Sequence, residues 1–188
     1  FNKRQSVMGV RGHFNNWEWG SLSAGKQLKH RIVALYLPLN NKWIDRFVRW
    51  IRARSGTTLA SIFETSHTFE KYKKQNTLFL LVADQSPSNP KKSYWVDFMG
   101  RKTAFLHGPE RHAKFNELPV FFIDIQRTKR GHYTAEFSLL CENPKELAEG
   151  ELTRMYAGKL EHQITENPEC WLWSHRRWKV NEKLNMGD

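Results

Sequence analysis

Two cysteines in 188 residues, Cys141 and Cys170, lack any metal-ligand or redox spacing, and they read as reduced structural thiols of a cytosolic compartment. No apolar run approaches the ~20 residues that a membrane-spanning helix requires. The longest, IVALYLPL and TLFLLVA, suit buried strands. A Gly-x-Ser-x-Gly elbow is missing, which argues against a hydrolase built on that nucleophile. His107 and His112 lack the i, i+4 spacing of helical metal ligands, and no cysteine cluster supports them, so metal chemistry is not expected. The chain starts at Phe1 rather than Met and opens almost directly into a strand-like segment, so it reads as a piece whose N-terminal part is missing. Neither an internal repeat nor a linker divides it. One domain over 1–188 is expected.

Basic residues and tryptophan are abundant instead. Thirty Lys and Arg stand against 19 Asp and Glu, for a formal charge of +11. That balance favours an anionic partner, either nucleic acid or an anionic lipid surface. Eight tryptophans suit a membrane interface, and they are equally good core material. The clusters KYKKQN and RTKRG are short and separated, more like solvated faces than a nucleic-acid footprint.

Residues 5–11 and HRIVALYLPL read as strands, the second ended by Pro38. Between them GHFNNWEWGSLSAG breaks the pattern with glycines and polar residues. Apolar residues at 43, 44, 47, 48 and 51 then follow helical spacing, with Asn40 or Asn41 to cap the start and Gly56 to stop it. This helix carries Arg46, Arg49, Arg52 and Arg54. Trp43, Phe47 and Trp50 would dip into a bilayer interface, or Ile44, Phe47 and Ile51 would pack on a sheet; the pattern allows both. Residues 58–74 read as a helix, TLFLLVAD as a buried strand ending in a carboxylate, and QSPSNPKKS as a loop. SYWVDFMG looks extended, and GPERHAKFNE reads as a helix with Pro109 at its first position and Glu110, at the helix start, as structural. Two strands joined around Gly131 follow, then a helix over 145–166 and the aromatic tail PECWLWSHRRWK. Packing is the preferred reading for Trp171, Trp173 and Trp178. The alternation predicts an α/β domain whose mixed sheet is flanked by helices.

The chemistry concentrates in VMGVRGHFNNWEWG. His13 and Glu18 are five positions apart, about 140° around a continuous helix, so they would not meet on one. They meet if His13 lies in the loop leaving the strand and Glu18 begins the next helix. A carboxylate bonded to one imidazole nitrogen makes the other a general base for an alcohol or a water. An ordinary loop histidine beside a surface glutamate fits the spacing too.

HFNNWE resembles the H-x4-D/E motif of the glycerolipid acyltransferase superfamily and, within it, the HFGNWE block of the lipid A late acyltransferases. Further blocks are similar in the same order: YLPLNNKWIDRFVRWIRARSG, LLVADQSP, FMGRKTAFLHGPERHAKFNELPV and WLWSHRRWK. The resemblance runs from about 7 to 179. It implies a mostly parallel, glycerolipid acyltransferase-like sheet and transfer of a fatty acyl chain to the hydroxyl of a membrane glycolipid such as a lipid A precursor. The donor would be a thioester of acyl carrier protein or coenzyme A, used as co-substrate with no further cofactor. Another lipid acceptor is the alternative, with a basic nucleic-acid-binding module as the rival from a different class. The resemblance further implies His13 as base with Glu18 orienting it, and backbone N–H groups of the turn 13–16, a helix N-terminus or Asn16 as oxyanion donors. Arg52 and Arg54 would meet an anionic headgroup, while Asp84 and Gln85 would orient the acceptor or the His13 loop. Trp17, Phe98 and Gly100 complete the expected substrate contacts. The implied setting is the cytoplasmic face of the bacterial inner membrane, against an anionic surface, with no nucleic acid. Asn15 stands where the family has Gly, Leu37 where it has Arg or Lys, and the family's N-terminal anchoring helix is not in this sequence.

Overall fold

The computed structural model describes residues 5–179; the two ends of the domain expected over 1–188 lie outside the described residues. Strands β1 (Val7–Arg11), β2 (Arg31–Tyr36), β3 (Thr58–Ser61), β4 (Thr77–Val82), β7 (Val120–Lys129) and β8 (His132–Cys141) form one sheet in the order β3-β2-β4-β1-β7-β8. All neighbours are parallel except β7 and β8, which form an antiparallel hairpin. Strands β5 (Ser93–Phe98) and β6 (Arg101–Leu106) make a separate hairpin. The expected α/β class with a mixed, mostly parallel sheet is what the chain adopts.

β4 lies inside the sheet between β1 and β2, which is why TLFLLV reads as a continuous apolar run: both of its faces are covered. On one face Met8, Val10, Phe79, Leu81 and Phe122 meet helices α3 (Thr65–Tyr72), α4 (Gly108–Asn116) and α5 (Glu151–Glu166), together with the β5–β6 hairpin. On the other, Leu78, Leu80, Ile123 and Ile125 lie beneath Ala24 of helix α1 (Trp17–Gln27). Helix α2 (Lys42–Ala53), capped by Asn41 through Trp43 N and Ile44 N, contributes no buried residue.

Three local expectations are corrected and one strand is added. GHFNNWEWGSLSAG is mostly helix rather than a break: α1 forms despite two glycines because tertiary packing needs them. A Cβ on Gly25 would run into the Ser55 carbonyl, so the close approach of α1 to the end of α2 excludes any larger residue. The helix expected over 58–74 begins instead as β3, added to the sheet edge beside β2, and turns through a 3-10 segment (Ile62–Glu64) into α3. The helix expected over 145–166 starts only at Glu151, after a 3-10 turn (Pro144–Glu146). β6 is an additional strand within FMGRKTAFLHG, reached through a tight turn at Met99 and Gly100, both with positive φ.

Glu110 ties α4 to α5. It is almost fully buried, and its carboxylate accepts from Gly150 N (2.7 Å), Thr153 N (3.0 Å), Thr153 Oγ1 (2.7 Å) and Lys114 Nζ (2.9 Å). It thus satisfies backbone donors at the start of α5 from the neighbouring helix. Burial would push this carboxyl up, but the bonds from Lys114, Thr153 and Gly150 outweigh it and hold it below the ordinary 4.5. A depressed folded value stabilises above the unfolded one, and the benefit is lost as pH falls through the lower, folded value. Glu110→Gln is expected to cost about 3 kcal/mol at neutral pH. Thermal melts from neutral to acid pH check this: the gap from the wild type should narrow as the pH falls below 4.5 and through the lower folded value.

Candidate active site

The site follows from strand register. β1 and β4 are parallel neighbours with Arg11 opposite Val82, so the residues two further along each chain, His13 and Asp84, emerge side by side. They do so at the C-terminal edge of the sheet, where the chain winds one way to β2 and the other way to β7, the position at which open α/β sheets bind ligands. Gly12 permits the tight exit, since a Cβ there would sit 2.7 Å from Leu160.

Asp84 is buried and receives three hydrogen bonds. His13 Nδ1 is 2.6 Å from Oδ1, while the His13 backbone N–H (3.0 Å) and the Trp171 indole N–H (2.9 Å) donate to Oδ2. Burial raises this carboxyl, yet the His13 and Trp171 contacts more than offset it, and Asp84 is held below the ordinary 3.8. Asp84 is therefore an acceptor at neutral pH, Nδ1 carries the shared hydrogen, and Nε2 is the ring nitrogen that can take a proton from elsewhere. The Trp17 ring packs edge-on against the imidazole at 4.8 Å and limits its rotation.

This corrects the expected dyad. The carboxylate on His13 is Asp84, whereas Glu18 is engaged by Arg52 through Nε–Oε1 (2.5 Å) and Nη2–Oε2 (2.9 Å). Glu18 does open α1 as expected, but a fork-shaped guanidinium reaching across from α2 satisfies both its oxygens. Arg52, expected at a lipid headgroup, thus spends its guanidinium on joining α2 to α1. Arg54 lies over the Trp50 ring at 4.7 Å, on the outer side of the molecule. Beneath the pair Arg11 is buried, bonded to Ser21 Oγ, and pulled down to about 10 by burial against the charge of Glu18.

Asn16 caps α1, its Oδ1 accepting from Trp19 N at 3.2 Å. In the turn 13–16, two of the N–H groups considered for an oxyanion are occupied: His13 N by Asp84 and Asn15 N by the Cys170 carbonyl at 2.7 Å. Gln85 follows Asp84 half-buried. Phe98 is not at a substrate surface: it is completely buried, edge-on to Phe105 and Trp171. Gly100 serves the β5–β6 turn with φ of 71°.

The aromatic tail closes over the site. Leu172 N donates to the His13 carbonyl (3.1 Å), Ser86 N to His175 Nε2 (2.9 Å), and Trp178 Nε1 to Thr103 Oγ1 (2.9 Å). Arg177 is buried over the Phe105 ring at 4.3 Å, and burial lowers it to about 10 despite the charges of Tyr156 and Asp84. Packing is thus the role of Trp171 and Trp178, while Trp173 stays half-exposed. Sequence reasoning did not pair Trp171 with Asp84. The only signal available was that both lie in blocks of the same resemblance.

Asn15, the departure from Gly, sits at φ 50° with its Nδ2 donating to the Ile125 carbonyl at 2.8 Å. Asparagine tolerates this left-handed conformation better than other side chains, so the site keeps its backbone and gains an anchor to β7.

An α/β domain that presents a carboxylate-held imidazole at the strand ends defines a class of protein able to draw a proton from a hydroxyl. Residues 2–180 match the family model described as bacterial lipid A biosynthesis acyltransferase, and the chain belongs to that family. Its kind of function is therefore acyl transfer in lipid A biosynthesis, which in general takes a lipid acceptor and an acyl donor. No curated protein matches the chain.

Two outcomes are expected. Asn15→Gly should fold with a loss below about 1 kcal/mol, whereas Asn15→Ala should lose about 1–2 kcal/mol, combining the left-handed strain with the lost bond. Chemical denaturation compares them. Asp84→Asn should flatten the stability-versus-pH curve on the acid side, because the wild-type benefit exists above pH 3.8 and vanishes as pH falls through the lower folded value.

Proposed function

We propose that the domain transfers a fatty acyl chain from a thioester of acyl carrier protein or coenzyme A to a hydroxyl of a membrane glycolipid such as a lipid A precursor, at the cytoplasmic face of the inner membrane. His13 Nε2 removes the hydroxyl proton as the oxygen attacks the thioester carbonyl. The 2.6 Å bond from Nδ1 to Asp84 supports this most directly, because it fixes the tautomer and stabilises the imidazolium that forms. The collapsing adduct expels the thiol, which takes the proton back from the imidazolium, so no acyl-enzyme is required. The only co-substrate is the acyl thioester.

The developing oxyanion needs donors aimed at it. With His13 N and Asn15 N engaged, the free N–H groups of the first turn of α1 are the best-placed backbone donors, at the positive end of that helix. Asp84 is a positioning residue. Glu18 acts through Arg52, holding α2 against the start of α1 beside the base.

The reading is tested by following labelled acyl transfer from each thioester to lipid acceptors. His13→Ala should lower kcat by about 10²–10⁴, and Asp84→Asn by a similar factor with KM little changed, because the substituted amide leaves the ring in the wrong tautomer. Near-normal transfer by His13→Ala would overturn the mechanism.

A further inference from the structure

Helix α2 is docked inside out. Its partly buried positions are Asp45, Val48 and Arg52, one stripe at i, i+3 and i+7. Asp45 accepts from Leu39 N (2.9 Å) and Tyr36 OH (3.3 Å), and Arg52 grips Glu18, so polar bonds hold the helix to the domain. The apolar face points the other way: Trp43 is 81% exposed, Phe47 58%, Trp50 55% and Ile44 52%. Phe47 and Trp50 stack on each other at 6.1 Å in the open. A soluble helix normally buries this stripe, and a patch of this kind marks an interaction surface.

Its surroundings say what covers it. Lys42, Arg46 and Arg49 flank the aromatic arc and are exposed. Because β1, β2, β3 and β4 run parallel, the loops that follow them share one end of the sheet, and that end bears exposed Leu37, Leu39, Ile62 and Phe63 after β2 and β3, on one side of His13 and Asp84. β7 runs the same way, so the exposed cations Arg127, Lys129 and Arg130 of its hairpin project from this end too. Aromatic rings bordered by cations on one helix are the composition that lies in the headgroup layer of an anionic bilayer. The same cations would repel a second copy of this chain.

We propose that α2, with Leu37, Leu39, Ile62 and Phe63, is the face on which the domain rests on an anionic lipid bilayer, so that the His13 end of the sheet meets the membrane. The inference supplies a docking face for the membrane acceptor proposed above. It rests on α2 rather than on His13, and binding to vesicles is read without any acyl transfer, so the two readings fail separately.

The experiment is co-sedimentation and tryptophan emission of the full chain with vesicles of phosphatidylethanolamine plus phosphatidylglycerol, against phosphatidylcholine alone. Binding and a blue shift are expected on the anionic vesicles, weakening as salt rises. Two double variants should each lower partitioning at least about tenfold while melting like the wild type: Trp43→Ser with Phe47→Ser, and Arg46→Glu with Arg49→Glu. The same charge change at the opposite end of the sheet, Lys29→Glu with Lys74→Glu, should leave most of the binding, and so should Phe115→Ser, an 80% exposed aromatic at the end of α4. Three results would overturn the proposal. One is no wild-type binding, and another is equal loss from both charge reversals. The third is a lipid-free dimer that Trp43→Ser with Phe47→Ser converts to monomer, which would assign the face to a second copy.

Discussion

One buried carboxylate organises the end of the sheet where His13 lies. Asp84 receives the His13 ring, the His13 backbone and the Trp171 indole at once, joining three stretches of chain that are remote in sequence. A charge taken that far from water is tolerated only when its lone pairs are used, and three donors use them. The geometry that keeps Asp84 ionised is therefore the geometry that aims the imidazole. Stability and chemistry share the same bonds here, so the tail that carries Trp171 is as much part of the site as the loop that carries His13.

Around that anchor the fold spends its polar contacts on joining elements. Glu18 and Arg52 bind α1 to α2, Asp45 fastens α2 to the end of β2, and Glu110 connects α4 to the start of α5. The apolar side of α2 is consequently released from core duty. Of the two accounts its pattern allowed, packing of Ile44 and Phe47 on the sheet is ruled out by their exposure.

The elements most legible in the sequence were those with a strong local pattern. TLFLLV had to be a covered strand, the 43–51 periodicity had to be a helix, and Gly131 had to be a hairpin turn. β3 was not legible, because four residues of moderate apolarity run straight into a helical pattern and become strand only through the edge of β2. α1 was obscured by its two glycines, which lower helix propensity locally, while Gly25 is required by a close approach to Ser55 and Gly20 lies against Ile125, contacts that no window along the chain contains.

By its composition, its motif order and its periodicities, the chain alone determined the α/β class, the acyltransferase family and the loop in which His13 lies. It did not determine the carboxylate that pairs with that imidazole. A carboxylate five residues away was the nearest candidate, but the parallel register of β1 and β4 brings one from 71 residues away into line, while Arg52 takes the near one. Register and charge pairing are relations between strands and helices that only the folded chain brings together, so the choice between Glu18 and Asp84 belonged to tertiary structure.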